Sequence, residues 1–242
     1  MASNKRKEIK GFKPETIKKI VAALVLYLNM YMAMLKRGEK LAISVSEGNS
    51  KIGRTMNVSL APVIICGNCK ECKYFCYDVK ACCQYDNVRK ARAKNTAIFK
   101  FSRDEFFRQV WERMEHKRNN KYLRFHVSGE IIDNDHLEWF IKTARRFPDF
   151  RIWTYTKMYH IVNEYVRAHG GDRSCIPENL VIMFSEWKGL PIVNPYGFPV
   201  FRCIAEDETI PEGMHKCPGN CNACKEGKKG CIYGMSSYVF LH

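Results

Sequence analysis

Twelve cysteines in 242 residues, eight of them gathered into two tight sets, constrain this chain more than any other feature. The first set is Cys66-x2-Cys69-x2-Cys72-x3-Cys76, with Cys82 and Cys83 close behind it. The second is Cys217-x3-Cys221-x2-Cys224-x6-Cys231. Thiolates two or three residues apart converge on a metal, because a tight turn points successive ligands inward. Unligated buried thiols are a poor account of such spacing. Cys175 and Cys203, isolated among apolar neighbours, read instead as packing residues.

The spacing leaves two metals open. Zinc takes four thiolates in a closed tetrahedron, and both sets can supply four. The first set also has the 2, 2, 3 spacing of bacterial ferredoxins, with Tyr77 where their proline stands. The x3, x2 spacing of Cys217, Cys221 and Cys224 is that of radical S-adenosylmethionine enzymes, although those carry it near the start of their barrel. Cys231 can close the fourth position. One or two 4Fe–4S clusters are favoured, with zinc the alternative.

Charge and hydropathy set the surroundings. Hydrophobic residues make up 46% of the chain, enough for one good-sized core. A net charge of +15 attracts polyanions, and Arg89–Arg124 holds twelve Lys and Arg against four acids, so DNA or RNA is an expected partner. The apolar run at 20–35 is interrupted by Asn29 and flanked by Lys18, Lys19, Lys36 and Arg37. It falls short of the roughly 20 residues of a spanning helix, and no small-residue cleavage site follows, so no membrane association is expected. The default compartment is the reducing cytoplasm, where clustered cysteines hold metals.

Periodicity places helices at Pro14–Leu35, Asn134–Phe147 and Met158–His169, the last ending at Gly170-Gly171. A further helix follows the capping box of Ser102 and Glu105, with Phe107, Val110, Trp111 and Met114 as its stripe. Strand-like runs are Leu41–Ser46, Met56–Val63, Tyr122–Ser128, Arg151–Thr156, Leu180–Ser185 and Val200–Ile204, with turn-rich Glu47–Arg54 between the first two. Cys66–Cys83 lacks the periodicity of a packed element and reads as a ligand loop. Strands alternating with helices imply a parallel sheet, and about six of them suit an open barrel better than a closed eight-stranded one.

The fold class predicted is therefore α/β, a partial, open parallel β/α barrel with an N-terminal helix and cysteine-rich metal-binding loops. Its divisions are a basic segment and apolar helix at 1–40, the barrel at 41–206 with cysteine loop 66–83, and a metal-binding segment at 207–242. The first twelve residues are expected to fray. In Leu123–Ser128 the apolar side chains alternate with Arg124, His126 and Ser128, which points these three into the barrel. Glu130 and Asp133 follow, Asp133 as the cap of the next helix. Later strand ends bring Trp153, Tyr155 and Lys157, then Ser185, Glu186 and Trp187. Barrel active sites gather at carboxyl strand ends. His126, Glu130, Lys157 and Glu186 are thus the candidate catalytic residues, and Arg124, Ser128 and Tyr155 the candidate cofactor-binding ones.

These residues resemble a known family. GNSKIG (Gly48–Gly53), the loop Cys66–Asp78 ending CYD, RFHVSGE (Arg124–Glu130), FRIWTYTK (Phe150–Lys157) and the final VFLH are similar to the phage gene-product-88 family, from about residue 41 to the end. The resemblance implies a cysteine triple at Cys66, Cys72 and Cys76, a C-terminal set at Cys217, Cys221 and Cys224, and a final histidine, His242. It also implies a layout like that of phage iron–sulfur proteins related to radical S-adenosylmethionine enzymes. This chain adds Cys69 and Cys231, and has Glu130 where an aspartate is commoner. Three functions follow as expectations: an iron–sulfur enzyme using S-adenosylmethionine on a nucleic acid or nucleotide, a non-catalytic, metal-stabilised nucleic-acid-binding protein of replication, or a redox or structural zinc protein.

Overall fold

A computed structural model of the chain describes residues 11–117, 119–205 and 208–240. The first ten residues, Arg118 of the basic stretch and the terminal His242 lie outside the described residues. Helix α1 (Pro14–Lys36) opens on Pro14, whose missing N–H costs nothing in a first turn. Its 23 residues exceed the apolar run read from the sequence. Among the described residues it is the one helix long and apolar enough, by length and composition, to cross a membrane.

After α1 the chain does not enter a strand at once. Ile43 and Ser44 give their N–H groups to Gln109 and Asn95 side chains, 2.8 and 2.7 Å away. The expected strand Leu41–Ser46 is thereby displaced to β1 (Val45–Asn49), which pairs antiparallel with β2 (Gly53–Val58). Their turn is built by Asn49, whose Oδ1 accepts from Lys51 N and Ile52 N. The cysteine loop follows, but it is not structureless throughout. A short 3-10 turn covers Cys72–Phe75, and α2 (Tyr77–Gln84) is a helix that the sequence reading missed. Two turns are too short to show a period. Tertiary contact holds α2: Asp78 is buried and paired with Arg92 at 2.9 Å. Arg92 lies on α3 (Asp86–Phe101). Helix α1 packs Ile20, Leu24 and Leu28 on Ala93 and Ala97 of α3 and on Cys82 of α2, and leaves Val25, Leu26 and Met30 exposed.

The rest alternates as predicted: α4 (Arg103–Glu115), β3 (Tyr122–Phe125), α5 (Asn134–Arg146), β4 (Arg151–Thr156), α6 (Tyr159–Ala168), β5 (Leu180–Ser185) and β6 (Val200–Ile204). Ser102 caps α4 by accepting from Glu105 N, and Asp133 caps α5 by accepting from His136 N. Two strands were not foreseen, β7 (His215–Lys216) and β8 (Ser237–Phe240), with the short helix α7 (Cys221–Glu226) between them. The eight strands form one sheet in the order β1-β2-β3-β4-β5-β6-β8-β7, parallel throughout except for β1–β2. β1 and β7 are its two edges.

Strand periodicity sends alternate side chains to opposite faces. Met56, Val58, Leu123, Phe125, Ile152, Leu180, Ile182 and Phe184 meet the apolar stripes of α4, α5 and α6 in the main core. Trp153, Val181 and Met183 belong to a separate cluster on the other face, where Cys224, Cys231 and Ile232 cover them. The C-terminal cysteine segment is therefore packed against the sheet.

Candidate metal and ligand site

All twelve cysteines are free thiols. The first set lies beside the carboxyl ends of β3 and β4. Glu130 is 7% exposed, and its two oxygens accept from Ile131 N and Lys157 N, each at 2.9 Å. The carboxylate thus ties one strand end to the next. Burial pushes its pKa up, against those hydrogen bonds. Asn68, between Cys66 and Cys69, donates to the Lys157 carbonyl at 2.9 Å and moors the loop at this rim. Cys69 Sγ is 3.9 Å from Cys72 Sγ. Its thiol bonds both neighbours, so the Cys69 pKa rises while that of Cys66 falls. Cys72 is lowered to about 6, first by its hydrogen bond with Cys69 and then by the Lys157 charge. Burial raises Cys76 to about 11.

The second set is enclosed. The Tyr155 hydroxyl donates to Cys231 Sγ at 3.0 Å, and Cys224 Sγ is 3.8 Å from His215 Nε2. Burial raises Cys221 to about 11 and lifts Tyr155 well above the usual phenol value. Helix α7 is held on the β1–β2 turn: Cys221 N donates to Lys51 O, and Lys225 Nζ to the Ile52 and Arg54 carbonyls. Gly53, at φ +62°, takes the left-handed backbone that glycine adopts without strain, and the Asn222 side chain lies over it. The GNSKIG stretch is thus the seat of the second cysteine set. His215 was missed by sequence reasoning, although its place two residues before Cys217 is a usable signal.

Arg124 stands between the two sets. Its guanidinium lies 4.8 Å from the Tyr155 ring centre, and Nη2 reaches the Tyr77 hydroxyl at 3.4 Å. Tyr77 follows Cys76 directly and turns its hydroxyl to the Val127 carbonyl. Among the described residues Arg124 Nε is buried without a partner, as are Asn57 Oδ1, Ser59 Oγ and Ser128 Oγ. Asn57 is the register neighbour of Arg124 across β2–β3. Unpartnered buried polar atoms are uncommon and here lie along adjoining strand ends.

One placement corrects the alternation argument. His126 does not share a face with Arg124. It takes φ +57°, which ends β3 at Phe125 and turns the ring into the helix-side core. There His126 Nε2 is 3.0 Å from His136 Nε2, with Phe140 beside both rings and Phe99 against His136. Burial lowers His126 to about 3 and His136 well below the usual imidazole value, so both are neutral. Gly129, at φ +106°, completes this bend, where a Cβ would lie 3.0 Å from Leu60. Glu186 is also committed elsewhere, in an ion pair with Arg202 at 2.6 Å. Lys157 Nζ faces the Trp187 ring at 5.9 Å.

The basic stretch is largely paired. Arg89 and Lys90 bridge to Asp86, Arg92 to Asp78, Arg103 to Asp133 and Asp135, and Arg108 to Glu105 and Glu112. Asp86 is held down to about 2 by Lys90 and Tyr27.

The donor chemistry of both sets suits a thiophilic metal centre. As placed, no group of three or more His, Cys, Asp or Glu among the described residues closes tightly enough to hold a metal ion. The sequence model of the family described as gene product 88 matches residues 33–188, more than half of the chain. It takes in the first cysteine set and the ends of β3, β4 and β5, and stops before the second set. No curated protein and no solved structure matches the chain.

Proposed function

The chain belongs to the gene product 88 family, and on that premise we propose a phage or mobile-element iron–sulfur protein, built on a radical-S-adenosylmethionine-like partial barrel, that acts on a nucleic acid or nucleotide. The observation that carries this reading is the gathering of Cys66, Cys69 and Cys72 at the carboxyl ends of parallel strands, beside Glu130 and Lys157. Cys66, Cys72 and Cys76 would hold a 4Fe–4S cluster, with Cys217, Cys221, Cys224 and Cys231 available for a second. Such a cluster, when bound, supplies one electron for cleavage of the S-adenosylmethionine sulfonium. The chain's own residues bind and orient. Arg124 offers an unpaired cation to a carboxylate, and Asn57, Ser59 and Ser128 offer unused polar atoms beside it. Glu130 holds the two strand ends in register. Free thiols throughout favour a reducing cytoplasm.

Anaerobic purification tests this. Iron and sulfide in equal amounts, broad absorbance near about 400 nm and formation of 5′-deoxyadenosine by the reduced protein are expected. Cys69→Ala should keep the cluster and Cys66→Ala should lose it. Zinc alone, without colour, overturns the reading.

A second reading has its own observation. The 3.9 Å between Cys69 Sγ and Cys72 Sγ is close to the edge of a zinc tetrathiolate, about 3.8 Å for Zn–S bonds of about 2.3 Å. This favours the metal-stabilised nucleic-acid-binding protein. It requires zinc and a binding affinity for DNA or RNA that falls steeply with salt.

A further inference from the structure

A cavity of about 420 Å³ opens where the start of α6, the segment Leu190–Tyr196 and Asn68 of the cysteine loop meet. The volume is in the range of small-ligand sites. His160, Asn163, Glu164 and Arg167 recur at helical spacing, so one face of α6 forms its wall. The cysteine thiols take no part in it.

Its chemistry is graded along that wall. At one end are Lys157, His160 and the first turn of α6. Met158, the residue before that turn, gives no side-chain cap; its carbonyl takes the Ile161 N–H at 3.1 Å, and the Tyr159 and His160 N–H groups of the ten-residue helix remain for an anion. One turn further on, Glu164 brings a carboxylate, which suits vicinal hydroxyls as acceptor. Beside it Asn163 Nδ2 is spent on the Val193 carbonyl at 2.8 Å, and Oδ1 is left buried without a partner. Two tyrosines, Tyr159 and Tyr196, add ring surface. The Tyr159 hydroxyl is occupied by the Ser185 carbonyl.

We propose that this cavity binds a nucleoside phosphate. The phosphate sits at Lys157, His160 and the α6 amides, the ribose hydroxyls at Glu164, and the base against the Tyr196 ring. The same chemistry is presented by a free nucleotide and by the 5′-phosphorylated end of a single strand.

The test is calorimetric titration of the intact protein with adenosine 5′-monophosphate, inorganic phosphate and a 5′-phosphorylated thymidine tetranucleotide. Adenosine monophosphate should bind at least about tenfold more tightly than phosphate, since the ribose and base contacts are absent from phosphate. His160→Glu, which puts a carboxylate at an exposed position, should weaken it about tenfold or more. Glu164→Gln should weaken it less and leave phosphate binding unchanged. Competition of the tetranucleotide with the mononucleotide assigns the site to strand ends, and binding of the mononucleotide alone assigns it to free nucleotides. Absence of mononucleotide binding, equal affinity for phosphate, or an unchanged His160→Glu protein of unchanged melting temperature overturns the proposal. Metal content is measured separately, so its outcome and this one stay distinct.

Discussion

The rim cysteines and the C-terminal cysteines have similar spacing and opposite settings. The rim set sits on a loop moored by side-chain and backbone bonds, next to a buried carboxylate and an open cavity. Among its thiols only hydrogen bonding and the Lys157 charge bring any pKa down. The C-terminal set is wedged between a sheet face and its own helix, with Cys224 and Cys231 buried among Trp153, Val181, Met183 and Ile232. Burial dominates there and raises the pKa values of Cys221, Cys224 and Cys231. A similar spacing of thiols therefore stands at an open rim in one place and against a buried sheet face in the other. Spacing alone does not distinguish them.

The largest expected effect breaks the comparison if it fails. Replacing Cys224 and Cys231 together by Ser puts hydroxyls into an apolar cluster and should cost about 3 kcal/mol, or about 10 °C in melting temperature. In the metal-free protein the pair Cys66→Ser and Cys72→Ser should cost about 1 kcal/mol, because these thiols are only half-buried. Equal losses in thermal melts would remove the distinction.

Acid sharpens it. His126 and His136 have folded pKa values below the unfolded value of about 6.5. The unfolded chain takes up these protons first, so their stabilising contribution is present above about pH 6.5 and is lost as pH falls towards the lower folded values. Stability should fall by about 2 kcal/mol between pH 6.5 and 5.5, and His136→Phe should roughly halve the slope. Metal held by the C-terminal set should leave only with this unfolding, whereas the rim set should release it earlier. Simultaneous release from both would merge the two settings.

The smallest effects are local. Tyr155→Phe removes one hydrogen bond to Cys231 and should cost about 1 kcal/mol without altering alkylation of Cys72. Lys157→Met should slow Cys72 alkylation by iodoacetamide about threefold at pH 7, through a higher thiol pKa, and leave the melting temperature within about 1 °C. Crossed effects would show that Arg124 couples the sets.

Much was readable from residue order. The helices at 134–147 and 158–169, the Ser102 and Asp133 caps, and strands Arg151–Thr156, Leu180–Ser185 and Val200–Ile204 follow local rules, and the structure has them within a residue or two. Cys175 packs at the edge of the main core, as its isolation indicated. Other features escaped because their causes are remote in the chain. The displaced first strand depends on Gln109 and Asn95, helix α2 on Arg92, strand β8 on pairing with β6, and strand β7 on pairing with β8.

By itself the sequence determined the alternating α/β order and the gathering of cysteines into two sets, because spacing, period and capping are properties of neighbouring residues. Only the tertiary structure decided which side chains meet. A single left-handed residue, His126, breaks the two-residue period and separates it from Arg124, and the return of the chain through β8 lays the second cysteine set on the sheet face that alternation had assigned to a polar lumen. Alternation holds only while the backbone stays extended, and which segment covers a face is settled by packing between parts far apart in the chain.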